Sequence, residues 1–127
     1  MPTVAQPLTC AYNSVAAHGG VPTADPYGLV PMLMDGALER IARARGRMER
    51  GESGETNQLL RAAARIVEEL RTGLDLRTGD AHAANLHDVY DYVSRQLDSA
   101  NEHNRVATLD EVSHLLREIR SAWVMYV

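Results

Sequence analysis

Residues 29–44 read LVPMLMDGALERIARA, and the fold turns on how this stretch spreads its apolar side chains around a helix. Leu29, Leu33, Ala37, Ile41 and Ala44 mark one stripe at helical spacing. Val30, Met34 and Leu38 widen that stripe on one flank, and Met32 sits alone on the other side. A helix in a small bundle needs an apolar arc of roughly 100°. At 100° per residue this one spans roughly 180°. What covers the rest is left open by this stretch alone.

Three further helices can be read downstream. The stretch ETNQLLRAAARIVEELRTGL, about 55–74, reads as a second helix. Thr56 or Glu55 lies at its start and Gly73 near its end. Leu59, Ala63, Ile66 and Leu70 form its seam, with Leu60, Val67 and Leu74 beside it. A turn at DLRTGD (75–80) leads to a third helix over about 80–102, with Leu86, Val89, Tyr90, Val93, Leu97 and Ala100 in a stripe and Tyr92 to one side. NEHN (101–104) breaks it. A fourth helix over about 105–125 carries Leu109, Val112, Leu115, Leu116, Ile119 and Trp123. No segment alternates with strand period. Four amphipathic helices with short links predict an all-α, antiparallel up-down four-helix bundle.

The first helix has two possible starts. Asp25 can cap it with Pro26 at the first position, in which case Pro31 bends it. Alternatively DPYG (25–28) is a turn and the helix starts at Pro31. The first reading is preferred, and either helix runs to about Arg50. Upstream, residues 1–24 hold Pro2, Pro7, Pro22, Gly19 and Gly20 and read as a loose N-terminal leader, leaving 25–127 as the bundle.

Bulk chemistry narrows the function. The 127 residues suffice for one domain with its own core. Thirteen Lys+Arg face seventeen Asp+Glu, net −4, which gives no electrostatic footprint for nucleic acid. The one basic stretch, ERIARARGRMER (39–50), interleaves its arginines with Glu39 and Glu49 as a solvated helix face does. Cys10 is the only cysteine, so no internal disulfide is available and a reducing compartment fits. The N-terminal residues lack the basic and apolar regions of a signal peptide, and no apolar run is long enough to insert in a membrane. The expected location is the cytosol.

Catalytic and metal-binding patterns are missing. A di-iron bundle needs two Glu-x-x-His motifs and two further glutamates facing inward. This chain has one such motif, Glu111 to His114, on the flank of the fourth helix's stripe. His82 and His87 are splayed around their helix, and no Gly-rich loop follows a strand. The reading is a protein with no enzyme activity, no metal and no cofactor. What remains is surplus apolar surface, the usual mark of an interface. Met32, Met34 and Met48 add adaptability to irregular partners.

Four segments resemble the FliS family, the flagellin-specific chaperones of flagellar export. AYNSV (11–15) is similar to the family's Tyr-x-x-x-Val start. DPYGLVPMLMDGALERIARA (25–44) resembles its Ser-Pro-x-x-Leu-Ile-x-Met-Leu-Tyr-Asp-Gly-Ala signature, with Asp25 in place of Ser and Met34 in place of Tyr. ANLHDVYDYVSRQLDSAN (84–101) and LDEVSHLLREIRSAW (109–123) resemble its third-helix segment and its ending. The resemblance implies a cytosolic four-helix chaperone that binds the C-terminal segment of flagellin, prevents premature polymerisation and assists delivery to a component of the export gate. It also implies a leader that covers part of the empty site, for which Tyr12 and Val15 are the candidates. The expected flagellin-binding residues are Tyr12, Val15, Leu33, Met34, Leu38, Leu60, Val67 and Leu74. A loose leader beside an open groove also invites a homodimer by swapping. The alternative is a helical adaptor or regulatory bundle with another amphipathic-helix client.

Overall fold

The computed structural model describes residues 28–74, 77, 79 and 81–124, and Leu29 opens the first helix among them. Four helices account for nearly all of them: α1 (Leu29–Glu49), α2 (Ser53–Thr72), α3 (Ala81–His103) and α4 (Val106–Val124). No strand occurs among the described residues. Each helix packs against its neighbours in sequence, α4 returns to pack against α1, and the diagonal pairs are held apart by the core between them. Short links join antiparallel neighbours, so the ring is the up-down-up-down bundle expected from the helical spacing.

Local chemistry sets the helix ends. α1 begins neither at Pro26 nor at Pro31. Gly28 takes a left-handed conformation (φ 68°) ahead of Leu29, and its carbonyl accepts the Met32 N–H at 3.3 Å. Pro31 therefore falls within the first turn, where an N–H would have no helical partner anyway. Pro26 lies outside the described residues. At the other end Gly51 (φ 74°) closes α1. Its N–H bonds Met48 O at 3.1 Å, and Glu52 N–H bonds Arg47 O at 2.9 Å. α2 starts at Ser53, two residues before the expected Glu55. Thr56 is not its cap: the side chain is buried in the first turn, and its hydroxyl donates back to Glu52 O at 2.6 Å.

The core is built by Val30, Met34, Ala37, Ile41, Ala44 and Met48 of α1, with Leu60, Ala63, Val67, Leu70 and Leu74 from α2. α3 adds Ala83, Tyr90, Val93, Leu97 and Ala100, and α4 adds Leu109, Val112 and Leu116. On α1 and α2 the buried line is turned by about one residue from the expected stripe. Leu29 is half-exposed, and Leu33, Leu59 and Ile66 are half-buried at the edge. The reason is the breadth of the arcs. An arc near 180° has no marked centre, and packing in a ring of four selects the part that points inward.

That arrangement covers most of the wide arc of α1. On one side α2 closes over it: a Cβ placed on Gly36 would lie 3.5 Å from Ile66 Cδ1. On the other side Asp35 and Arg45, which flank Leu38, both reach α4. Only Leu29 (51% exposed) and Met32 (63% exposed) are left in the open.

Two substitutions separate core from surface. Leu97→Ala empties a fully enclosed position and is expected to cost about 2–5 kcal/mol. Met32→Ala is expected to stay within about 0.5 kcal/mol of wild type. Thermal unfolding followed by circular dichroism checks both, and comparable losses in the two variants would contradict the burial pattern.

Candidate functional site

The residues expected to meet a partner divide into three groups. Tyr12 and Val15 lie outside the described residues. Leu33 and Leu38 are half-buried at the edges of α1, one toward α2 and one toward α4. Met34, Leu60 and Val67 are at most 1% exposed, and Leu74 is buried with them. The expectation that these four flank the stripe is corrected: they are the core. In this structure their side chains are enclosed by the bundle.

The surface apolar groups lie elsewhere. Leu29 and Met32 occupy the first turns of α1, above Leu33 and next to the Gly36–Ile66 contact. Gly36 is half-buried between Ile66 and the Arg40 guanidinium, whose Nη1 donates to Gly36 O at 2.9 Å. Tyr92 is the third large exposed apolar group and sits on α3 against α4. The sequence pattern had already set Met32 and Tyr92 apart from their stripes. Leu29 was missed because it falls in register with Leu33, and the rotation of α1 turns it outward.

Polar clasps hold the seams around this surface. Arg45 grips Asp110 with two bonds, Nε to Oδ1 at 2.6 Å and Nη2 to Oδ2 at 3.2 Å. Arg120 grips Asp35 in the same two-pronged way, with Nη2 donating to Oδ2 at 2.9 Å. These two pairs run α1 and α4 antiparallel, since the partners ascend on one helix and descend on the other. Between α1 and α2, Arg47 reaches Glu52 at 3.1 Å and Glu55 at 2.5 Å. Between α2 and α3, Arg71 Nη1 lies 2.9 Å from His87 Nε2, so the imidazole nitrogen accepts. Between α3 and α4, the Tyr92 hydroxyl donates to Glu111.

These contacts set the electrostatics. The hydrogen bond from Arg45, followed by its charge, holds the Asp110 carboxyl below the usual aspartate range. The hydrogen bond from Arg50 does the same to Glu52, with a smaller contribution from Arg47. The bond to Glu111 pushes the Tyr92 phenol up, because losing its proton would remove the donor and set two anions together. The lone Glu-x-x-His motif is occupied otherwise. Glu111 accepts from Tyr92, and His114 lies 3.0 Å from Glu118 on the surface. Among the described residues no group of three or more His, Cys, Asp or Glu side chains is placed to hold a metal ion. No helix among them is long and apolar enough to cross a membrane.

The arrangement is a closed core with charged clasps on its seams and a small exposed apolar surface at the start of α1. Comparison with known proteins gives it a context. The profile of a family described as flagellar protein FliS matches residues 8–127. A flagellar secretion chaperone FliSB of Pseudomonas aeruginosa is 42% identical over 88% of this chain and 89% of its own length. Flagellar secretion chaperones FliS of Salmonella typhimurium and Vibrio cholerae are 38% and 35% identical, each over 89% of this chain and 84% and 83% of their own lengths.

The clasp at Asp110 makes a testable contribution to acid stability. A carboxylate held below its ordinary value contributes stability that is complete above that ordinary value, about 3.9, and is lost as pH falls through the lowered native one. Both partners are exposed, so the effect is small. Melting temperature measured from neutral pH down to about pH 2 is expected to fall less steeply for Asp110→Asn than for wild type. Parallel curves would show that the clasp contributes nothing.

Proposed function

The chain belongs to the FliS family of flagellar secretion chaperones, and from that premise we propose that it binds the C-terminal segment of flagellin in the cytosol. By holding that segment it keeps flagellin from polymerising early and presents it to the export gate. The client is an amphipathic chain, unstructured until it finds an apolar partner. The chaperone offers a ready-made apolar ledge on which it can order as helix. Ordering costs entropy at the moment of binding, so a broad contact stays reversible. That suits a cargo that has to be handed on.

The observation that carries this reading is the exposed apolar surface on α1. Leu29 and Met32 stand 51% and 63% exposed on the helix that bears the family signature. In the proposal they form the contact together with Leu33 and Ile66 along the α1–α2 seam, and Leu38 contributes from the α4 side. Met34, Leu60, Val67 and Leu74 act from beneath as the packed support of that surface. Tyr12 and Val15 remain the proposed lid. A lid that occupies the same surface reduces apparent affinity by the fraction of time it covers it.

Calorimetric titration of the full chain with a synthetic flagellin C-terminal peptide tests the proposal. Met32→Asp is expected to weaken binding about tenfold or more, the equivalent of about 1.4 kcal/mol, while leaving the melting temperature almost unchanged. Leu38→Asp is expected to weaken it less and to cost some stability. Deleting residues 1–17 is expected to leave affinity equal or higher. No binding by the wild-type chain would overturn the proposal. Unchanged binding by Met32→Asp would move the contact away from α1.

A further inference from the structure

α1 carries four arginines, and three of them meet carboxylates. Arg43 lies 3.7 Å from Glu39, Arg45 holds Asp110, and Arg47 reaches Glu52 and Glu55. Arg40 is the exception. Among the described residues it forms no ion pair, and its one side-chain bond runs back along its own helix. Nη1 donates to Gly36 O at 2.9 Å, a carbonyl that the helix already uses. The same nitrogen would stand 3.3 Å from a Cβ placed on Gly36, and Ile66 of α2 is the other close neighbour. The guanidinium is therefore folded over Gly36 in the α1–α2 seam, with Arg40 half-buried. The acids of α2 leave it alone. Glu55 takes Arg47, Glu68 takes Arg71, and Glu69 is exposed.

This cation stands at the edge of the apolar surface. Gly36 lies four residues beyond Met32, one helical turn or about 6 Å. Leu33 and Ile66 are half-buried around it. An apolar segment laid on that surface takes the guanidinium out of water as well. A guanidinium has five N–H donors, keeps its charge and accepts nothing. Covered without an acceptor, it opposes binding. A carboxylate matches its planar fork with two parallel bonds and neutralises it. Charge complementarity thus discriminates among amphipathic segments: an acid at this point is favoured, and Lys or Arg there is repelled.

Resting on the reading of this seam as the client's surface, we infer that Arg40 is its specificity-determining contact and takes an aspartate or glutamate side chain of the bound segment. On binding, the guanidinium exchanges the Gly36 carbonyl for that carboxylate. The acid stands one turn from the client residue that meets Met32, about three or four positions along the client's helix. Apolar contact holds the segment, and the ion pair fixes its register. A segment slid by one turn keeps much of the first and loses the second.

Calorimetry on the full chain with the synthetic flagellin C-terminal peptide tests this. Arg40→Gln is expected to weaken binding about fivefold. Arg40→Lys keeps the charge, loses the fork and is expected to fall in between. Each Asp and Glu of the peptide is then replaced in turn by its amide. One replacement is expected to cost wild type the same factor and to cost Arg40→Gln nothing. Amidating the peptide's terminal carboxylate is expected to change nothing. Arg61, an exposed arginine on α2, serves as the charge control, and Arg61→Gln is expected to bind as wild type does. Equal losses in Arg61→Gln and Arg40→Gln would reduce the effect to net charge and overturn the inference. So would a loss that follows the terminal carboxylate, or wild-type binding that no amide replacement weakens. The amide series decides alone if Arg40→Gln does not fold. No binding by the wild-type chain overturns the proposed function and this inference with it. Wild-type binding that Arg40→Gln leaves unchanged overturns this inference alone.

Discussion

α1 carries more apolar surface than one neighbouring helix can bury, and the rest of the structure follows from covering it. Val30, Met34, Ala37, Ile41, Ala44 and Met48 take the centre of the core. The surplus on one side is met by α2 at the Gly36–Ile66 contact, and the surplus on the other by α4 beyond Leu38. Once α1 has neighbours on both sides, α3 closes the ring through the connectivity of short links. The four-helix bundle is the smallest arrangement of these helices that leaves no stripe open to water.

The clasps on the seams do a different job from the core. Exposed ion pairs contribute little to stability, and the Arg45–Asp110 and Arg120–Asp35 pairs are no exception by exposure. Their value is in register. An apolar stripe slides by a turn at modest cost, whereas two forked Arg–carboxylate contacts at fixed separation accept one alignment. They also frame the seam at both ends of Leu38. Tyr92 and Glu111 play the same part between α3 and α4.

The sequence made the fold legible because every long segment repeats at helical spacing and Gly51, Gly79 and NEHN punctuate the links. Helix ends were legible to within a few residues. The exception was instructive: Asp25, Pro26 and Pro31 all offered starts, and Gly28 in a left-handed turn decided the matter. The site was much less legible. On arcs as wide as those of α1 and α2, periodicity says that a face is apolar without saying which edge is left outside. Met34, Leu60 and Val67 therefore passed for flank residues and proved to be core, and Leu29 passed for core and proved to be exposed. Only residues clearly off the stripe, Met32 and Tyr92, were placed on the surface by pattern alone. The family resemblance added what spacing cannot contain, the client proposed for this surface.

The central claim is that the chaperone meets flagellin's C-terminal segment at the start of α1, over a core that stays closed. Amide hydrogen exchange of the full chain, free and saturated with that peptide, measures this most directly. New protection is expected over the first three turns of α1 and the middle of α2 around Ile66, with the enclosed segments of α3 and α4 unchanged. Protection confined to α3 and α4, or faster exchange at the core positions Met34, Leu60 and Val67 on binding, would contradict it.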